Sequence, residues 1–165
     1  MDLFEAFDKL LSYTRNKEEE RIYKKAFYES GIRYFEIYSV KPGDDEINFY
    51  LFLNQNRQYE IHFSNSANQH EIVPLNKYKN NQLTRIIATA LHIAMKKLQE
   101  KTTPFLIYGD TKRKTDLYVK AIKSKMPNIV TSVIEPVRGI DGNIYSYGVL
   151  LKQDTRSFKI ENLLR

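Results

Sequence analysis

The sequence predicts an α/β (α+β) domain built on a mostly antiparallel sheet, and three observations carry that reading. Three successive segments, "IRYFEIYSV", "EINFYLFLN" and "QYEIHFSNS", are rich in aromatic and β-branched residues and are separated by turn residues, the pattern of sequential strands. Leu83, Ile86, Ile87, Ala90, Leu91, Ala94 and Leu98 form one apolar stripe at helical spacing. Near the end, "NIVTSVIEPVR" and "IYSYGVLLKQ" flank "GIDGN", a hairpin signal. A chain of 165 residues is long enough for one domain with a real core and short for two. The expectation is therefore a single domain over 1–165, with a helical part at 1–30, a sheet with two helices at 31–152, and a tail at 153–165.

Each element follows from its residues. Leu3, Phe4, Phe7, Leu10 and Leu11 recur at helical spacing and predict an amphipathic first helix. Ile22, Tyr23, Ala26 and Phe27 predict a second, short helix that stops near Gly31, with "KEEERIYKK" as its solvated face. No strand is evident before or between these helices. "KPGDDE" reads as a turn, and its three acids as a solvated loop rather than a metal cluster. "ANQHEIVPLNKYKNNQ" is irregular, with a short extended piece at Glu71–Val73 and His70 among its residues. After the long helix, "TPFLIYG" reads as a strand buried on both faces. The next helix is expected to bury Leu117, Tyr118, Ala121 and Ile122, with Gly109 and Asp110 as the turn and N-cap before it. Pro136 places the strand that contains it at an edge or a bulge.

Composition bounds the function. Lys and Arg number 26 against 20 Asp and Glu, a net charge of +6 that favours nucleic acid, other phosphates or an acidic protein surface. The absence of cysteine removes disulfides, thiolate nucleophiles and cysteine zinc sites. The start "MDLFEAFDKLL" lacks the basic and apolar regions of a signal peptide, and no apolar run is long enough to span a bilayer, so the expected location is cytoplasmic, without membrane contact. Three scattered histidines make no metal site; His92 lies on the flank of the long helix. Nucleophile motifs, P-loops and dinucleotide fingerprints do not occur.

The most informative stretch is "TPFLIYGDTKRKTDLYVKAIKSKM", in which Lys112, Arg113 and Lys114 open a helix. Cations there oppose the helix dipole and call for something anionic to offset them. The element order, together with "GDTKRKTDLYVKAIKSK", resembles the GNAT acyltransferase superfamily from about Ile32 to Lys152, and is similar to phage-encoded proteins with a GNAT-like fold and no assigned reaction. The resemblance implies a mostly antiparallel sheet of about six strands with two N-terminal and two crossover helices. It implies Tyr118 as general acid near a thioester, and Glu60 or His62 as base. It also implies acetyl-CoA or another acyl-CoA as cofactor if the protein is active, with its phosphates at Lys112, Arg113 and Lys114 and at the helix opening by Asn80 and Asn81. That opening, "NKYKNNQLTR", has no glycine, whereas a pyrophosphate needs close backbone approach. The leading expectation is therefore a phage-encoded accessory, regulatory or virion-associated binding protein without ordinary acetyltransferase activity and with no certain cofactor. An N-acyltransferase is the alternative. A second alternative is a nucleic-acid-binding protein using Lys112, Arg113, Lys114, Lys120 and Lys123; an acidic protein or a virion component would be the other kinds of partner. Read by residues alone, Glu60 and His62 are the polar face of a half-buried strand, Tyr118 is core packing, and the lysines are a solvated helix face.

Overall fold

The computed structural model describes residues 1–65, 78 and 80–154. The expected features at His70 and Glu71–Val73, and all but the first two residues of the 153–165 tail, lie outside them. The fold is a mixture of α and β, with four helices and eight strands among the described residues and antiparallel pairing within each of two compact units, Met1–His92 and Ile93–Arg165. Helix α3 (Asn80–Glu100) runs through the boundary between the units.

The first unit holds α1 (Leu3–Ala6), β1 (Tyr13–Arg15), α2 (Lys17–Glu29), β2 (Phe35–Val40), β3 (Ile47–Leu53) and β4 (Tyr59–Asn65), with sheet order β1-β2-β3-β4. The expected long first helix is not formed. Asp2 caps α1 by accepting from the Glu5 N–H at 2.8 Å, but the helix ends after one turn. The chain then bends so that Leu11 is buried and its N–H donates to Thr89 Oγ1. The residues that follow form β1, a strand absent from the sequence reading, with Tyr13 opposite Val40. Helix α2 begins at the Asn16 cap, which accepts from Glu19 N–H, and stops where expected. Gly31 has φ +84°, its N–H bonds Tyr28 O, and Ile32 N–H bonds Phe27 O, the two bonds of a Schellman stop.

Register in this sheet sorts side chains by face. Val40, Ile47, Phe49, Leu51 and Tyr59 share one face and are buried. Across the other, Phe27 of α2 stacks on Phe35 at 4.4 Å and leans on Tyr50. On that same face Tyr50 stands opposite His62 and Phe52 opposite Glu60.

The second unit contains the C-terminal part of α3, β5 (Phe105–Gly109), α4 (Lys112–Lys125), β6 (Ile129–Thr131), β7 (Glu135–Arg138) and β8 (Ile144–Gln153). Strand β8 pairs with β5 on one side and with both β6 and β7 on the other. The single strand expected over "NIVTSVIEPVR" is thus two, parted at Ser132–Ile134, and with β1 this brings the strand count from about six to eight. Pro136 lies on β7, which pairs with β8 alone among the described strands, and the register shifts at Val137/Arg138, so both features expected of that proline are present. Strand β5 alternates instead of being buried on both faces: Phe105, Ile107 and Gly109 are buried, Leu106 and Tyr108 half-buried. At the β7–β8 turn, Gly142 has φ +81° and Asp141 accepts from Asn143 N–H and from the Tyr145 hydroxyl.

Helix α4 is rolled relative to expectation. Its buried residues are Thr115, Val119, Ala121 and Ile122, while Leu117 turns outward and is 40% exposed. The cause is Thr115, a polar residue that the apolar pattern leaves out. Its hydroxyl donates to Tyr147 O at 2.8 Å, and it packs so closely on β5 that a Cβ at Gly109 would lie 2.6 Å from its Oγ1. The N-cap is Thr111, not Asp110: Thr111 Oγ1 accepts from Lys114 N–H.

Candidate functional site

Glu60 and His62 meet as expected of alternate residues on one strand face. Glu60 Oε1 lies 3.1 Å from His62 Nε2, and Phe52 stacks on the imidazole at 5.2 Å. The other carboxylate oxygen accepts from Asn54 Nδ2 at 2.8 Å. Asn54, which the sequence reading did not single out, also accepts from the Asn56 and Gln58 N–H groups through Oδ1. The carboxylate is therefore built into the β3–β4 turn, and both of its oxygens already face a neighbour.

Tyr118 lies on α4, in the second unit, and is half-buried, not enclosed in the core as the apolar pattern predicts, because Thr115 and Val119 take the inner face. Burial pushes its phenol above the ordinary tyrosine value, and the negative charge of Asp110 pushes it further. The hydroxyl is held protonated and is a hydrogen-bond donor at neutral pH. Asn80 and Asn81 open α3, with Asn81 exposed.

Another charged cluster in the first unit fastens elements together. Arg15 ion-pairs with Glu20 of α2 and, at 2.9 Å, with Glu36 of β2, while Glu20 accepts from the Ile37 N–H. Hydrogen bonding to Glu20 raises the guanidinium pKa above its ordinary value. This cluster joins β1 to α2 and β2. Among the described residues, no group of three or more His, Asp or Glu is disposed to hold a metal.

The strongest concentration of one charge is on α4. Two of its lysines are neutralised locally, Lys114 by Asp110 and Lys120 by Asp116, each at 2.9 Å. Lys112, Arg113, Lys123 and Lys125 are exposed and make no ion pair or hydrogen bond with the described residues. The helix carries six cations and one acid in 14 residues. At helical spacing, Arg113, Leu117, Lys120 and Ser124 form the outward ridge, opposite the buried Thr115, Val119 and Ile122. Lys112 and Arg113 occupy the first turn, where each cation opposes the dipole by about 0.3–1 kcal/mol. Asp110 offsets this for Lys114 only.

The whole chain repeats the asymmetry. Residues 93–165 contain 14 Lys and Arg against 7 Asp and Glu, whereas residues 1–92 contain 12 against 13. All of the net positive charge thus belongs to the unit that carries α4. No sequence motif marks this division, which becomes visible once the unit boundary is known. No family model, curated protein or solved structure matches the chain. The functional reading therefore rests on the chemistry of these side chains.

Proposed function

We propose that this chain is a GNAT-like binding protein that does not perform ordinary acyl transfer, and that it meets an anionic partner through the exposed face of α4. The observation that carries this reading is the set of four uncompensated cations, Lys112, Arg113, Lys123 and Lys125, on a helix whose other two lysines have local acids. An arrangement that costs helix stability in its first turn is explained by a bound anion that offsets it. The glycine-free stretch "NKYKNNQLTR" weighs against acyl-CoA chemistry.

Two measurements test the proposal. In a thermal-shift titration with acetyl-CoA, desulfo-CoA and ATP, no saturable stabilisation specific to the CoA compounds is expected. A ligand present at 100 times its Kd would add about 2.7 kcal/mol of stability, so a CoA site would be plain, and finding one would overturn the reading in favour of an acyltransferase. On a heparin column, the wild-type chain is expected to elute at higher salt than the combined Lys112→Ala, Arg113→Ala, Lys123→Ala, Lys125→Ala variant. Equal elution would remove α4 from the proposal.

A further inference from the structure

We infer that the anion met by α4 is the phosphate backbone of a nucleic acid, bound without reading its sequence. This rests on the proposal that α4 is the binding face and names the partner. The composition of the face separates nucleic acid from an acidic protein. Five of its six cations are lysine, a residue depleted at protein–protein interfaces and suited to phosphate as a point charge. Leu117 is the sole large apolar side chain among the exposed residues of α4, and the face has none of the exposed aromatic anchors that dominate protein hot spots. Lys112, Arg113, Lys120 and Lys123 also fall within about 100° of the helix circumference and form a stripe with a rise of about 17 Å, while Lys125 lies on the other flank. A linear polyanion can run along such a stripe and meet both ends of it.

Sequence readout needs side chains that pair with base edges, Arg or Lys with guanine and Asn or Gln with adenine, each held by its neighbours in a bidentate pose, and no hydrogen bond within the described residues holds Lys112, Arg113 or Lys123 in one. The outward ridge of α4 offers Arg113, Leu117, Lys120 and Ser124, with no amide side chain on the helix. Lysine contacts to phosphate fix position and carry no sequence information.

The test is fluorescence anisotropy with labelled 20-nucleotide probes of unrelated sequence, as duplex DNA, single-stranded DNA and RNA, at 50, 100 and 200 mM salt. Phosphate contacts by Lys112, Arg113, Lys120 and Lys123 on a duplex predict a fall of roughly 150-fold in affinity between 50 and 200 mM salt, with little difference between sequences. Lys123→Ala should reduce the slope of log affinity against log salt by about one. Lys24→Ala with Lys25→Ala, on exposed α2, should leave affinity unchanged. No binding at 50 mM salt, a slope near zero, or equal binding by the four-residue variant would overturn the inference. One sequence bound far above the rest would overturn its backbone-only character. If polyglutamate binds in an α4-dependent way while nucleic acid does not, the α4 reading stands and this inference fails.

Discussion

A methyl group added at Gly109 would lie 2.8 Å from the backbone nitrogen of Thr115, which cannot withdraw without moving the start of α4. At Gly139 the added Cβ would lie 2.1 Å from Cε2 of Tyr145, a nominally worse clash, yet that ring is 62% exposed and can swing into solvent. The neighbour's freedom, not the distance, decides the outcome. Gly109→Ala is expected to cost about 1–3 kcal/mol, as overpacking does. Gly139→Ala should cost much less, chiefly the Tyr145–Asp141 hydrogen bond. Chemical denaturation of the two variants checks the order, and a larger loss at Gly139 would contradict it. Neither difference is legible in sequence, where each glycine simply ends a run of strand-forming residues; the partners lie six residues along the chain in both cases, but one is backbone in a helix and the other a surface ring.

At the level of elements, α4 is less stable than it need be. Replacing Lys112 or Arg113 by Ala removes a cation from the positive end of the dipole and introduces the best helix former, so each is expected to stabilise the protein by about 0.3–1 kcal/mol while weakening any anion binding. Melting curves at low salt would show it, and destabilisation by both would mean that these side chains make contacts the helix requires. The elements that the sequence made legible are those with strong local signals: α2, with its spaced Ile22, Tyr23, Ala26 and Phe27 and its Gly31 stop, and β8, whose bounds match "IYSYGVLLKQ" residue for residue. Those that escaped are short. Strand β1 has 3 residues, too few for periodicity to register, and α1 keeps only 4 residues of the stretch whose spacing predicts the first helix, because the chain bends to bury Leu11 beside Thr89 and to pair Tyr13 with Val40. The roll of α4 escaped for a related reason, since Thr115 is buried by a hydrogen bond and not by its apolarity.

On the scale of the whole molecule, charge is the clearest functional signal, and it was only partly readable. The basic run at 112–114 stands out in the sequence, but which cations are already paired, and that residues 1–92 contribute no net positive charge, required the fold. The acid–base candidates show the reverse: strand alternation correctly put Glu60 beside His62, while the claim of Asn54 on the same carboxylate depends on the geometry of the turn. Val137, Ile144 and Tyr145 leave the β7–β8 ribbon with exposed apolar side chains, and the outer side of β7 has no neighbouring strand among the described residues. Such an edge invites strands from other copies and, at high concentration, insoluble aggregates. Pro136 removes a backbone donor there, and the adjoining bulge bends the strand away from a straight template. Pro136→Val should therefore leave the melting temperature nearly unchanged yet shorten the lag before light scattering rises in a concentrated solution; an unchanged lag would mean that some other feature protects the edge.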